Sequence, residues 1–172
     1  VALEYTKTFG GRVISFCQDE FLSEKGVLNE SIVSTELGLK GIPNISESIN
    51  LYRDIEILSY SGGKIHIPYV TTSKGVNLIR EAKKNNLDIT ASVSLAHITF
   101  SEKDIPEFDT NFKLIPPLRS ESDLNSLKEG LIDGTIDYLT SMHEPFDIDN
   151  KKNVFDNASS GSIGLESMFG LM

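Results

Sequence analysis

The sequence lacks several features that define particular classes of protein. Its 172 residues include one cysteine and no tryptophan, and no apolar run approaches the roughly 18 residues that a transmembrane helix needs. A single cysteine, Cys17, excludes an internal disulfide framework and is typical of a reducing compartment, so we expect a cytoplasmic protein. The first five residues have an amphipathic helical pattern, which excludes a signal peptide there.

Positive charge is also scarce. Sixteen lysines and arginines stand against 25 aspartates and glutamates, which gives a net charge of −9. The densest basic stretch, residues 80–84, has the pattern of a solvated helix face and does not form a phosphate-binding stripe. We therefore expect neither a nucleic-acid partner nor a membrane partner. The 39% of apolar residues and 24% of charged residues are ordinary for a globular domain.

The pattern of apolar residues predicts alternating strands and helices. Strands are predicted at 12–17, 64–70, 87–94 and 136–141. Each follows a pair of residues that contains glycine or asparagine, which are typical helix ends. Helices are predicted at 45–58, 76–83 and 122–131, with Thr72 or Ser73 as the N-cap of the second. This alternation predicts an α/β fold with a parallel sheet and right-handed crossovers.

Three long connections interrupt this alternation, at residues 18–47, 96–120 and 143–162. Each follows the carboxyl end of a predicted strand. In α/β barrels and open α/β sheets these connections build the functional sites, and such lengths are unusual in a plain scaffold. We therefore expect the functional residues in these three segments.

Several motifs, in order along the chain, resemble the dihydroorotases of the amidohydrolase superfamily. The most specific is 109–113 (Asp-Thr-Asn-Phe-Lys) followed by 116–120 (Pro-Pro-Leu-Arg-Ser). The other matching segments are 3–5, 13–19, 26–30, 37–43, 53–55, 66–72, 133–137 and 164–166. An ordered set of motifs at these spacings indicates common descent over nearly the whole chain.

The resemblance implies a (β/α)8 TIM barrel. The four predicted strands would be strands five to eight of that barrel with their helices, and residues 1–172 would form one segment of it. The remainder of the barrel would lie outside this chain. The ends of the sequence agree with this prediction, because there is no initiator methionine and residues 163–172 form an apolar pattern that predicts a helix without a C-cap.

The resemblance also implies a reaction, the interconversion of carbamoyl aspartate and dihydroorotate. A metal ion polarises the carbonyl and activates water, and a carboxylate moves the proton. The family's histidine ligands on strands five and six fall on Phe16 and Tyr69, and its catalytic aspartate falls on Met142. Two substrate contacts fall on Ile115 and Phe146.

These five side chains are not suited to metal binding, proton transfer or the family's substrate contacts. A phenyl ring cannot ligate a metal, a phenol of pKa about 10 seldom replaces an imidazole, and a thioether cannot carry a proton. We therefore predict no intact catalytic, substrate-binding or metal-ligating residue in this chain, and we expect no cofactor. We predict that a pocket lined by these five side chains would be apolar.

The remaining histidines are assigned structural roles. His66 lies three residues before Tyr69, and an odd separation along a strand predicts that it faces the helices if Tyr69 faces the barrel interior. His97 and His143 are predicted to stabilise loops.

Four other features are also predicted to be structural. Arg119 is expected to be buried and paired with a loop carboxylate such as Asp109. Glu144 is interpreted as a solvated loop acid, and Cys17 as a thiol with no activating histidine. Residues 147–150 lack the glycine and the final glutamate of an EF-hand and are assigned to the surface.

These observations lead to one functional prediction and two alternatives. We predict a catalytically inactive dihydroorotase-like protein of pyrimidine biosynthesis that forms a homo-oligomer or acts as a structural partner of aspartate carbamoyltransferase, as inactive homologues in the family do. The first alternative is an active metal-dependent dihydroorotase that holds zinc through ligands outside this chain. The second is a module that binds a less polar ligand in the apolar pocket.

Overall fold

The central element of the computed structural model, which describes residues 1–170, is a parallel sheet. The strands are β1 (Val13–Ile14), β2 (Leu28–Asn29), β3 (Gly41–Ile42), β4 (Ile65–Ile67), β5 (Ile89–Ser94) and β6 (Tyr138–Thr140). The order in the central sheet is β1-β4-β5-β6, with every neighbouring pair parallel. Strands β2 and β3 form a separate parallel pair. The α/β class and the parallel sheet are therefore confirmed.

Within residues 1–170, eight α-helices connect these strands or flank them. They are α1 (Ala2–Lys7), α2 (Glu20–Ser23), α3 (Ile32–Glu36), α4 (Ile45–Ser61), α5 (Ser73–Lys84), α6 (Leu95–Thr99), α7 (Glu121–Ile132) and α8 (Ile148–Lys151). The three predicted helices correspond to α4, α5 and α7. Thr72 is the N-cap of α5, and its Oγ1 accepts a hydrogen bond from the Gly75 amide at 3.0 Å. The predicted helix ends are also found, because Gly62 and Asn86 adopt φ of 65° and 60°.

The hydrophobic core lies between one face of the sheet and helices α4, α5 and α7. Alternate residues of β4 and β5 point into it, including Ile65, Ile67, Ala91 and Val93. The helices contribute Leu51, Leu58, Val76, Ile79 and Leu127. The opposite face of the sheet carries Ile14, His66, Thr90 and Tyr138, and no helix of residues 1–170 covers it. The four strands form an open sheet and do not close into a barrel.

The irregular segments contain one addition to the sequence analysis and one correction. The long connection 18–47 is found, and it contains the short elements α2, β2, α3 and β3, of which α2 packs on α4. The prediction for the end of the chain was wrong. Residues 163–170 form turns rather than the predicted helix, and Leu171 and Met172 lie outside the described residues. Among the helices that the structure describes, none has the length and apolar character needed to cross a bilayer.

A buried carboxylate joins α4 to the segment after β4. Glu47 lies in the first turn of α4 and is 4% exposed. Its Oε2 accepts hydrogen bonds from the amide and the hydroxyl of Thr71. Its Oε1 accepts hydrogen bonds from Thr72, from the amide at 3.1 Å and from the hydroxyl at 2.6 Å. Because Thr72 caps α5, Glu47 fixes the start of one helix against the start of the next.

We expect Glu47→Ala to destabilise the protein strongly. The change leaves the two buried threonine amides without a partner, which costs roughly 3 kcal/mol or more of unfolding free energy. Urea unfolding of the full-length protein measures the loss. Glu56→Ala is the matched control, because Glu56 is exposed on the same helix. Equal midpoints for the two variants would contradict the role assigned to Glu47.

Candidate functional site at the carboxyl ends of the strands

The five residues at the family's functional positions differ in exposure. Phe16, Ile115 and Phe146 are 46%, 39% and 40% exposed, Tyr69 is half-buried, and Met142 is buried. Phe16, Tyr69 and Met142 each follow a strand of the central sheet within two residues of its carboxyl end. The predicted location at the strand ends is therefore found for these three residues.

Two of these residues have a strained backbone. Tyr69 and Met142 adopt φ of 55° and 47°, in the left-handed region that large side chains rarely occupy. Each costs of order 1 kcal/mol, and such strain concentrates at functional sites. The left-handed turns therefore occur where the resemblance places a metal ligand and the catalytic acid, although the side chains carry neither function.

A cavity of about 310 Å³ lies between α6, the segment 110–118 and the segment 141–167. Its apolar wall is formed by Leu95, Ala96, Phe100, Phe112, Leu114, Leu118, Pro145, Phe146 and Ile163. Phe146 is the one member of the five that lines it. This cavity is therefore not the pocket shared by all five side chains that the sequence analysis predicts. Three of the five follow β1, β4 and β6, whereas the cavity is built mainly by loops.

Two lysines that the sequence analysis missed hold these loops together. Lys113 Nζ donates to the carbonyls of Phe155, Asp156 and Ala158 at 2.7–2.9 Å. Lys151 Nζ donates to the carbonyls of Thr110 and Ser159 at 2.8 and 2.9 Å. Burial lowers the pKa of both ammonium groups. For Lys113 the Asp-Thr-Asn-Phe-Lys motif contained a signal for this role. A lysine between apolar residues is usually hydrogen-bonded at its ammonium group when it is buried.

Arg119 lies at the centre of a buried polar network and is 3% exposed. Its Nη1 donates to Asn29 Oδ1 at 2.8 Å and to the Ile42 carbonyl at 2.7 Å, and its Nε donates to Thr71 Oγ1 at 3.2 Å. Burial lowers the pKa of the guanidinium, and the nearby Glu47 carboxylate opposes that shift. The prediction of a buried structural arginine is confirmed.

The predicted partner of Arg119 was wrong. Asp109 instead accepts a hydrogen bond from the Asn111 amide at 2.9 Å, at the start of a short 3-10 helix, Thr110–Phe112. The Asp109 carboxylate caps the helix next to it instead of pairing with Arg119. An aspartate reaches a free helix amide two residues later without any long-range contact.

His97 and His143 have the predicted loop roles. His97 is fully buried in α6, and its Nε2 donates to the Pro116 carbonyl at 3.0 Å while its Nδ1 accepts from Ser94 Oγ at 2.6 Å. A carbonyl can only accept, so this histidine carries its proton on Nε2. His143 is exposed, and its Nδ1 accepts from the Leu165 amide at 3.3 Å.

The predicted direction of His66 was wrong. Its neighbours Ile65 and Ile67 pack towards the helices, so His66 faces the uncovered side of the sheet. There its ring nitrogens contact Thr90 Oγ1 at 2.9 Å and Ser92 Oγ at 3.3 Å. The argument from odd spacing fails because β4 ends at Ile67 and Tyr69 is left-handed, which interrupts the alternation of side chains.

Cys17 offers no alternative nucleophile, and Glu144 is an exposed loop acid, as the sequence analysis predicts. Burial, together with the Asp54 and Glu47 carboxylates, raises the pKa of the Cys17 thiol far above its usual range, so the thiolate nucleophile does not form at neutral pH. Glu144 is exposed at the cavity mouth. Residues 147–150 lie on the surface as predicted.

The residues present do not fit the metal that the resemblance implies. Within residues 1–170, no three histidine, cysteine, aspartate or glutamate side chains group closely enough to hold an ion. Zinc requires imidazole, thiolate or carboxylate ligands, and Phe16 and Met142 supply none of these. Tyr69 would offer a single phenol.

Comparison with known proteins places this geometry in context. The fold is shared with the hydantoinases: the L-hydantoinase (dihydropyrimidinase) from Arthrobacter aurescens superposes with a TM-score of 0.81 at 19% identity, covering 96% of this chain and 38% of that one. A dihydroorotase from Saccharomyces cerevisiae, solved with 5-fluoroorotic acid, gives a TM-score of 0.72 at 13% identity, covering 99% and 46%. No profile of a known protein family matches the sequence.

The sequence relatives define the family. The dihydroorotase of Pelotomaculum thermopropionicum is 43% identical over 171 residues, which is 99% of this chain and 40% of that protein. That of Caldanaerobacter subterraneus is 42% identical over 170 residues, with 99% and 39% covered. The chain belongs to the dihydroorotase family. It spans about 40% of the length of these curated relatives.

We expect His97 to make the protein less stable in mild acid. Burial lowers its pKa to about 4, well below the usual value of about 6.5. As the pH falls from 6.5 towards 4, the imidazole of His97 binds a proton in the unfolded chain but stays neutral in the folded protein. The unfolding free energy therefore drops by about 2 kcal/mol between pH 7 and pH 5.

His97→Gln tests this effect, because glutamine can keep both hydrogen bonds and does not titrate. Urea unfolding of the full-length protein at pH 7 and pH 5 should show a smaller loss in this variant than in the parent. Burial also lowers the pKa of His66, and its contribution to the loss of stability is the same in both proteins. His143→Gln, at an exposed loop, is the control and should retain the full loss; equal losses in all three proteins would exclude the assigned role.

Proposed function

We propose that the protein is a catalytically inactive dihydroorotase homologue of cytoplasmic pyrimidine biosynthesis, and that it acts as a structural partner of aspartate carbamoyltransferase. The observation that carries this proposal is the combination of an intact framework with unreactive side chains. Arg119, Lys113 and His97 hold the connections, whereas Phe16, Tyr69 and Met142 stand at the positions of two ligands and the acid.

The proposal includes an architecture. The sheet β1-β4-β5-β6 would be strands five to eight of a (β/α)8 barrel, and its uncovered face would be the barrel interior. Short polar and aromatic side chains on that face, such as Thr90 and Tyr138, suit the packed interior of such a barrel. The overlap with about 40% of each relative agrees with a segment of this size.

Loss of the reactive groups removes the reaction and leaves the fold intact. A metal-activated water and a general base contribute several orders of magnitude each to the rate, and within residues 1–170 no group of three histidine, cysteine, aspartate or glutamate side chains could hold the metal. A domain that catalyses no reaction still has its outer surface available for a partner. A chain of net charge −9 is suited to a partner with a basic face.

The first experiment measures dihydroorotate ring opening by the full-length, zinc-replete protein. We expect a turnover at least about 10⁴-fold below that of the Pelotomaculum thermopropionicum relative, assayed in parallel as the control. Metal content is determined on the same sample, and aspartate carbamoyltransferase is tested for co-purification. Turnover comparable to the relative, with tightly bound metal, would support the active alternative and end this proposal.

A second function, binding of a small and largely apolar ligand, is favoured by the cavity beside α6. Its volume of about 310 Å³ is at the lower end for small-molecule sites, and its walls are predominantly apolar. Phe146 takes the place of a substrate-contacting histidine of the family. The change would replace a polar contact with an aromatic one in the same wall.

Indole serves as the probe for this second function. We expect indole to raise the unfolding temperature of the full-length protein in a saturable way, because a ligand that binds only the folded state stabilises it. Ala96→Phe should fill the cavity and abolish the shift. Asn125→Phe, on the exposed side of α7, should leave it unchanged. A shift that survives Ala96→Phe would place the binding elsewhere.

A further inference from the structure

The cavity beside α6 has two charged residues in its lining, Glu144 and Lys151, and they differ in their hydrogen bonds. Lys151 Nζ donates to the carbonyls of Thr110 and Ser159 at 2.8 and 2.9 Å. None of the ion pairs and side-chain hydrogen bonds found within residues 1–170 involves the carboxylate of Glu144. The charge that is available to a ligand at this cavity is therefore the negative charge of Glu144.

Main-chain contacts fix the position of Glu144 at the cavity mouth. Its amide donates to the Ser162 carbonyl at 2.9 Å, beside an isolated parallel bridge between His143 and Ser162. Gly161 comes so close that a Cβ atom there would lie 2.6 Å from the Glu144 carbonyl oxygen. The Gly161 amide in turn donates to the Lys113 carbonyl at 2.8 Å. The backbone is thus held in place without any use of the Glu144 carboxylate.

Three phenylalanines, Phe100, Phe112 and Phe146, form the aromatic part of the cavity wall. The rings of Phe100 and Phe112 contact edge to face, with centroids 5.4 Å apart and planes at 77°. The face of an aromatic ring carries partial negative charge and attracts an organic cation. Phe146 lies two residues after Glu144, so one short segment supplies both a ring and a carboxylate. Aromatic rings beside a single carboxylate are suited to an alkylammonium group.

We propose that this cavity binds a primary amine with an aromatic body, whose ring packs on the phenylalanines and whose ammonium group pairs with Glu144. The proposal rests on the second function proposed above, the binding of a small and largely apolar ligand, and adds the charge of that ligand. Ser141 and Ser162 line the same cavity, and a hydroxyl accepts a hydrogen bond from an ammonium group. The net charge of −9 on the whole chain also favours the approach of a cation.

An anionic ligand matches the cavity less well. Lys151 is the cationic residue of the described lining, and two of its three N–H groups are donated to carbonyl oxygens. A carboxylate bound at Lys151 would compete with these hydrogen bonds, and it would lie close to the like charge of Glu144, which interacts with Lys151. The cavity therefore favours the opposite charge to that of carbamoyl aspartate, the family's substrate.

Four ligands that share an indole ring separate the effect of charge from binding of the ring. Indole is neutral, tryptamine is a cation, indole-3-propionate is an anion and tryptophan is a zwitterion at neutral pH. Isothermal titration calorimetry on the full-length protein measures their dissociation constants. We expect tryptamine to bind about tenfold more tightly than indole, since an exposed ion pair and a cation–π contact together supply about that factor. Indole-3-propionate should bind more weakly than indole.

The ratio of the indole and tryptamine dissociation constants in one protein isolates the contribution of the ammonium group. Glu144→Gln should lower this ratio about fivefold and leave indole binding unchanged. Phe146→Leu keeps an apolar side chain but removes a ring, so it should lower the ratio as well. Glu166→Gln is the matched control, because Glu166 is exposed in a neighbouring turn and does not line the cavity. Circular dichroism confirms that each variant is folded.

The possible failures of the proposal can be told apart. Equal binding of indole and tryptamine would overturn it and leave the second function standing, with a neutral ligand. Tighter binding of tryptophan or indole-3-propionate than of tryptamine would overturn it in favour of recognition by Lys151. A ratio that Glu144→Gln leaves unchanged would exclude the role of this carboxylate. If none of the four ligands binds, the second function fails together with this inference.

Discussion

The buried guanidinium of Arg119 is the constraint on which the site region depends. A charge that is 3% exposed needs its donors satisfied, and the groups that satisfy them come from separate parts of the chain. Asn29 and Ile42 belong to the connection after β1, and Thr71 belongs to the connection after β4. Thr71 in turn binds Glu47. One arginine therefore holds two loop segments and the start of α4 in a single arrangement.

This arrangement is independent of the residues that the resemblance places at the family's functional positions. None of the hydrogen bonds around Arg119 or Glu47 uses Phe16, Tyr69 or Met142. The left-handed backbone at Tyr69 and Met142 costs free energy that a glycine would not incur, so the surrounding chain has to hold these two residues in place. The geometry of the strand ends is thus physically separable from the chemistry that the family performs there.

The sequence predicted those parts of the fold that depend on periodic patterns. Helices α4, α5 and α7 and the four strands of the central sheet follow from apolar spacing and from the residues that end helices, such as Gly62 and Asn86. The position of Lys113 between apolar residues indicates an anchored ammonium group, but its partners were not predictable, because carbonyls 40 or more residues away leave no local pattern. The direction of His66 was wrong for a related reason: side-chain alternation holds only while the strand continues, and the strand ends two residues before Tyr69.

The two uncovered surfaces of the molecule differ in kind. The open face of the sheet is built of mixed residues, among them His66 and Thr90, which satisfy each other by hydrogen bonds. The outer side of α4 instead exposes large apolar side chains, among them Ile49, Tyr52 and Tyr60, whose contact with water costs about 25 cal/mol for each Å² of apolar surface. Contiguous exposed apolar side chains are uncommon on the surface of a domain unless another surface covers them. The exposure of Tyr60 and Ile49 on an otherwise acidic chain therefore distinguishes this side of α4 from the polar outer sides of α5 and α7.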